Sequence, residues 1–289
     1  MTLGAANLVA DRNGWRIERS HGPDLAAYLT GRPVDEVATL LPRLFNLCRM
    51  AQATAARLAL GLPAAVTDSS ADEVIRDHMA RLYVTLRQAF GLAPMAPPQA
   101  PAMLAGPSGQ LPLDMAGLRL WLQQDTPLAE LGRAVQAAFP PDLCVTPLLP
   151  GAAPEARALE NSPAQRHARH PLMQALAASQ GRSPLWRFVG ILVDLAAARA
   201  EALPKPRLLA DGTAVVQAAR GSYFLRISQE AGRLTGLCRI TPTDHQLAKG
   251  SALDLSLRSL PLDRPDLAAQ LVALFDPCVP VTVAQVHHA

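Results

Sequence analysis

Apolar residues recur at helical spacing through Val74, Ile75, His78, Met79, Leu82, Tyr83 and Leu86. Ser69 or Ser70 is placed to cap this helix, and Asp72 and Glu73 fall in its first turn. Upstream, the pattern predicts a strand around residues 14–19, a short helix at 24–29 and a turn at Thr30-Gly31-Arg32-Pro33. A helix at 34–41 is expected to stop at Pro42, and a second at 49–60 to end at Gly61 and Pro63. Downstream, Thr126-Pro127 opens a helix to Phe139, with proline at the favoured first position. Helices follow at about 164–179 and 183–203. The period then changes. Residues 207–210 and 213–219 flank Asp211-Gly212, and 222–228 and 233–240 flank 229–232, so two hairpins are predicted. A last helix, 266–275, starts after Asp263 and Pro265 and delivers Cys278.

Residues 91–116 and 145–157 are rich in Pro, Ala and Gly and predict connections rather than elements. The expected fold class is α+β, mainly helical, with a small antiparallel sheet in the C-terminal half. Four parts are expected within one compact domain. These are an N-terminal helical part at 1–90 with Cys48, a Pro-rich linker or loop at 91–116, a helical part at 117–204, and the sheet with the C-terminal helix at 205–289. A chain of 289 residues can bury one substantial core, and its 49% hydrophobic and 18% charged content excludes a disordered chain. Net charge is only +3, the 27 basic residues form no run, and aromatics are 4%, which argues against nucleic acid. The most apolar long stretch, 186–203, carries Arg187, Asp194, Arg199 and Glu201, so it predicts a buried helix and no membrane span. The start lacks a basic region before an apolar run, so a cytoplasmic protein is expected, with its four cysteines free or ligating rather than disulfide-bonded.

Cys48 falls at the predicted N-terminus of the 49–60 helix, where free amides and the positive helix end favour a thiolate. It could equally be a small buried hydrophobe. Cys144 and Cys238 are expected to pack in a core. His78, on an apolar stripe, reads as a core histidine. His167 and His170, beside Arg166 and Arg169, read as a solvated helix start rather than a zinc site, because no third ligand is near. Asp244 and His245 are adjacent and expected to point apart, which removes a catalytic dyad. There is no Gly-x-Ser-x-Gly, phosphate loop or Cys-x-x-Cys, so nothing calls for an enzyme.

Four stretches, in this order, carry a resemblance. They are Gly31-Arg32-Pro33 followed by Arg43-x-Phe45-Asn46-x-Cys48; Gln217-Ala218-Ala219-Arg220-Gly221; Ile240-Thr241-Pro242-Thr243-Asp244; and Phe275-Asp276-Pro277-Cys278 near the chain end. Together they resemble the large subunit of nickel–iron hydrogenases and, more closely, its shortened assembly paralogues, the HupK/HoxV type of hydrogenase maturation protein. The resemblance covers roughly 24–62 and 205–284.

The departures are chemical. A hydrogenase holds its metals with four thiolates. Here Phe45 and Val281 stand where two would be, and Gln52 stands where a histidine is expected. Neither Phe nor Val has a lone pair to donate, so the resemblance implies no nickel. Two thiolates, Cys48 and Cys278, suit a low-spin iron(II) with strong-field ligands, the Fe(CN)2CO fragment. The resemblance implies that Arg220 and Thr243 hydrogen-bond the cyanides, and that Asp276 supports Cys278 through an ion pair with Arg220 or Arg43. It implies a scaffold that holds the fragment or passes it on. Expected partners are a small iron-carrier chaperone and the hydrogenase large-subunit precursor. The alternative is a metal-free mimic of the large subunit that times assembly. Cys48 matches a metal-bridging position and Cys278 a nickel-only one, so either Cys278 is re-aimed or a partner supplies the second ligand. The chain stops at His287-His288-Ala289, so no maturation cleavage is expected.

Overall fold

A computed structural model describes residues 4–44, 47–63, 70–98 and 111–285. The chain opens on an antiparallel hairpin, β1 (Gly4–Asp11) and β2 (Gly14–His21). The next helix, α1 (Leu25–Leu29), is capped by the Asp24 carboxylate, which accepts from Ala27 N. Pro42 does not stop α2 (Val34–Leu44); in the last turn a proline removes a single backbone bond, and the helix runs on. After α3 (Arg49–Ala59), α4 (Ser70–Ala80), a π-helical turn (Arg81–Thr85) and α5 (Leu86–Ala89) follow without a break. Val74, His78, Met79, Leu82, Tyr83 and Leu86 of the predicted stripe are all buried. Ser69, one of the two proposed caps, lies outside the described residues.

The Pro-rich segment is irregular at 92–98, and 99–110 lie outside the described residues. Its expected end at 116 is too late, because the Asp114 carboxylate caps α6 (Met115–Leu122). Thr126 caps α7 (Pro127–Ala138) as the Thr-Pro pair predicts. The single helix expected at 164–179 is two, α8 (Pro163–Arg166) and α9 (Pro171–Gln180). Pro171 cannot continue a helix, and His170 caps the new one. Then α10 (Pro184–Arg199) runs buried for most of its length, Asp194 included. Four strands make the C-terminal antiparallel sheet in sequential order: β3 (Arg207–Leu208), β4 (Ala214–Ala218), β5 (Gly221–Glu230) and β6 (Arg233–Ile240). The chain closes with α11 (Pro242–Gln246), α12 (Ala252–Leu257), α13 (Pro265–Phe275) and β7 (Val281–Gln285).

The strand β7 returns to pair in parallel with β1, so the chain's two ends share a second sheet ordered β2-β1-β7. This sheet brings the Cys278 turn back to the body of the fold. Val281 is used for pairing with Ala6. Among the described residues, no helix is long and apolar enough to cross a membrane.

Two cores result. The larger surrounds α10 with side chains from α4 to α7, α9, α12, α13 and β1. The smaller lies between α2 and α3 (Val37, Leu41, Ala51, Ala55) and the sheet face bearing Val216, Tyr223, Leu225 and Leu234. A buried carboxylate ties them together. Asp194 lies 2.7 Å from Arg166, His167 and His78. Arg166 also donates to Ala218 O at 2.7 Å, reaching the sheet. His78 is thus a core histidine. The solvated reading of Arg166 and His167 is corrected, since both turn inward to Asp194 because a buried carboxylate needs cationic and N–H partners.

Candidate functional site

Cys48 lies in the junction between α2 and α3, packed against the smaller core. Cys278 lies in the turn after α13, beside Val279, which packs against the larger core. A cavity of about 290 Å³ opens at this seam. Cys48, Gln52, Arg220, Tyr223, Thr243 and Cys278 line it, with Leu44, Leu47 and Val279 as apolar wall and Arg19, Arg239 and Asp244 as charged wall. The fold therefore brings four of the six sequence-predicted residues to one hollow.

Both cysteines are free, they line the same cavity, and each shifts the titration of the other. The Cys278 thiol is pulled down to about 7, first by the hydrogen bond from Cys48, then by Arg220 and Thr243, against the cost of burial. The Cys48 thiol is pushed up by its bond to Cys278, by burial and by the charge on Cys278. The two thiols thus titrate as a coupled pair, with Cys278 the more readily ionised and Cys48 the less. This reverses the expectation of a thiolate at Cys48. The amides of Met50 and Ala51 in the α3 N-terminus are already bonded by the Glu73 carboxylate, 3.0 and 3.1 Å away, and its charge opposes a second one at Cys48. Gln52, in the expected histidine position, donates from Nε2 to Cys48 Sγ at 3.4 Å.

Thr243 is the second residue of α11. A reciprocal pair of bonds between Thr241 and Asp244 fixes this helix's start. The Thr243 hydroxyl accepts from Cys278 N at 2.8 Å and supports the Cys278 thiolate. Arg220 sits in the β4–β5 turn and is buried, not a surface strand-end residue. Gly221 makes that turn with φ +144°, and a Cβ there would lie 2.3 Å from Asn161 Oδ1. Asn161 in turn bonds both the N and the O of Ser222. Arg220 donates from Nε to Asp276 O at 2.9 Å, from Nη1 to Asp77 at 3.1 Å and from Nη2 to Asp276 Oδ2 at 2.8 Å. Burial lowers its pKa, but Cys278, Asp276 and Asp77 more than offset this, so it is a fixed cation.

Asp276 is the α13 C-cap in the left-handed region, φ 51°. Its ion pair is with Arg220, and Arg81 Nε stands 3.9 Å off. Arg43 is the correction: it lies exposed at the last turn of α2 and does not line the cavity, so it is neither a ligand nor a partner of Asp276. Phe45 lies outside the described residues. Cys144 is buried as expected. Cys238 is exposed, because its side chain falls on the open face of the edge strand β6. Asp244 pairs with Arg19 while His245 bonds Asn161 and Glu155 O, so no dyad forms. Among the described residues, no group of three or more His, Cys, Asp or Glu is arranged as a ligand cluster. The two thiols alone offer soft donors.

Glu73, Asp77 and Arg81 were not foreseen as parts of the site. They stand at i, i+4 and i+8, which places them on one helix face. That spacing was the available signal.

No protein-family model matches the chain. It is similar to the hydrogenase expression/formation protein HupK of Rhodobacter capsulatus, 43% identical over 302 aligned positions that span 99% of each chain. Among solved structures it is similar to the G491S variant of the NiFeSe hydrogenase of Desulfovibrio vulgaris Hildenborough, with TM-score 0.56, 13% identity and 92% of each chain covered. It is also similar to the reduced NiFeSe hydrogenase of Desulfomicrobium baculatum, with TM-score 0.54 and 12% identity over 94% and 95% of the two chains. At these identities the two structures establish the fold.

Proposed function

The chain belongs to the HupK family of hydrogenase expression/formation proteins, and from that membership we propose that it carries the Fe(CN)2CO fragment of a nickel–iron hydrogenase as cargo between Cys48 and Cys278. The observation that supports this reading is that Cys48 and Cys278, both free, stand in the wall of one cavity of about 290 Å³. Two soft thiolates suit low-spin iron(II), and both line the one cavity, near enough for each to shift the other's titration. That closeness favours a re-aimed Cys278 over a ligand borrowed from a partner.

The neighbours suit an anion-bearing fragment. Arg220 lines the cavity and keeps one N–H on each terminal nitrogen after its three intramolecular bonds, a donor pair suited to acceptors such as cyanide nitrogen. Thr243 sits against Cys278 and adds a hydroxyl. Asp77 and Asp276 hold the guanidinium still. With two sulfurs and no others at the cavity wall, the chain takes iron and no nickel. It is a scaffold and not a catalyst: cargo arrives from a small iron-carrier chaperone and leaves for the immature large subunit by thiolate exchange.

The test is maturation in a host lacking its own copy of this chain. Cys48→Ala and Cys278→Ala are each expected to abolish the hydrogenase activity that the wild-type chain restores, while Cys238→Ala is expected to restore it fully. Normal maturation by both site variants would replace the scaffold with the metal-free mimic that binds chaperones or subunits.

A further inference from the structure

Cys48 has φ 138° and ψ 42°, a backbone that residues with a Cβ seldom adopt. Such a conformation persists only where the surroundings impose it. Cys48 precedes α3 in the cap position, yet its side chain makes no capping bond, and the first turn of α3 holds no acidic residue. The helix is capped from elsewhere. Glu73, 22 and 23 positions further along the chain, places one carboxylate oxygen 3.0 Å from Met50 N and the other 3.1 Å from Ala51 N. Residue 73 is only 5% exposed, and among the described residues no cation forms an ion pair with it. A carboxylate this buried is costly unless it is hydrogen-bonded. Both of its oxygens are used on the two residues that begin the helix carrying Cys48.

We propose that Glu73 is a positioning residue of the thiol site: by gripping the Met50 and Ala51 amides from α4, it imposes the strained Cys48 backbone and so sets Cys48 Sγ against Cys278 Sγ. It touches neither sulfur. Asp77 is one turn further along the same face and holds Arg220. α4 therefore governs both walls of the cavity, the sulfur through Glu73 and the cation through Asp77. This inference deepens the scaffold reading, but it concerns sulfur geometry, which is measurable without iron.

The probe is phenylarsine oxide, a trivalent arsenical that binds tightly only where two thiols are within bridging distance. The metal-free, reduced protein is expected to bind it one to one, and Cys48→Ser to lose the tight site. Glu73→Gln keeps the side-chain shape but turns one acceptor into a donor facing an amide. It is expected to weaken arsenical binding about tenfold, and Glu73→Ala more. Val74→Ala, a core truncation on the same helix that touches neither amide, is expected to lower stability and leave arsenical affinity unchanged. That contrast separates positioning from general loosening. Wild-type affinity in Glu73→Gln overturns the proposal, whether or not Glu73→Ala folds, and so does a loss in Val74→Ala equal to that in Glu73→Gln. Should the arsenical results come out as expected while iron loading fails, Glu73 keeps its role and the cargo assignment falls.

Discussion

The Cys48 thiol and the positive charge of Arg220 both favour the Cys278 thiolate. Alkylation of Cys278 by iodoacetamide is therefore expected to rise with pH around a midpoint of about 7, while Cys48 stays slow throughout the neutral range. Arg220→Gln should move that midpoint upward. Equal rates at the two cysteines would contradict the coupled titration. Above pH 7 the Cys48–Cys278 pair has one thiol proton left to lose, so its affinity for a thiophilic ion should rise about tenfold per pH unit, as a titration over pH 7–9 can measure. At this scale the sequence told part of the story. Cys48, Cys278, Arg220 and Thr243 were legible because each stands in a short motif, and the fold places all four at one cavity. Arg43 was misplaced, since motif adjacency says nothing about which side of a helix faces inward. Glu73 was hidden because an acidic residue in a helix's first turn reads as helix-end chemistry, and Asp77 because a charged residue further along a helix reads as part of its solvated face. Only tertiary packing shows whose amides and which guanidinium they serve.

Each element that carries a site residue is stopped or started by a specific device, and these devices are testable. Gly221 lets the β4–β5 turn pass against Asn161 with a positive φ. Gly221→Ala is expected to cost about 2–4 kcal/mol in urea unfolding, from backbone strain and the clash with Asn161 together. The strand β7 anchors the Cys278 turn by pairing with β1, Val283 opposite Leu8. Val283 packs against the larger core, so Val283→Asp should cost about 1–3 kcal/mol by burying an unpaired carboxylate. A variant as stable as wild type would argue against the β1–β7 pairing. The helices and the hairpins of the C-terminal sheet were readable from periodicity, caps and turns. The β2-β1-β7 sheet was read only at β2. β1 is rich in Gly and Ala, which carry little strand signal, and β7 is five residues long beyond the last helix. A parallel pairing between opposite ends of a chain leaves no local trace.

Across the whole molecule, the buried Asp194 network joins α4, α8 and α10 and holds the α4 face in place. Its titration has a definite sign. Burial holds His78, and outside the network His245, below the ordinary 6.5, and Arg166, His167 and His78 hold Asp194 far below its ordinary 3.8 despite burial. The unfolded chain takes up protons that the native network refuses, so stability is full above pH 6.5. It is expected to fall below that, first through the histidines and then, below 3.8, through Asp194. Urea midpoints at pH 7.5, 5.5 and 4 measure this, and a midpoint that rises on acidification would contradict it. The large-subunit fold was reachable from four motifs in order, and so was the meeting of Cys48 and Cys278 from opposite ends of the chain in one cleft, while the parallel β1–β7 pairing that joins those ends was not. The most direct measurement is infrared spectroscopy of the chain purified without oxygen from cells making the cyanide and carbonyl ligands. Stretching bands of both diatomics, with one iron per chain, present in wild type and absent in Cys48→Ser and Cys278→Ser, are the predicted result. Wild-type protein from such cells showing neither band, or bands that survive loss of both sulfurs, contradicts the account.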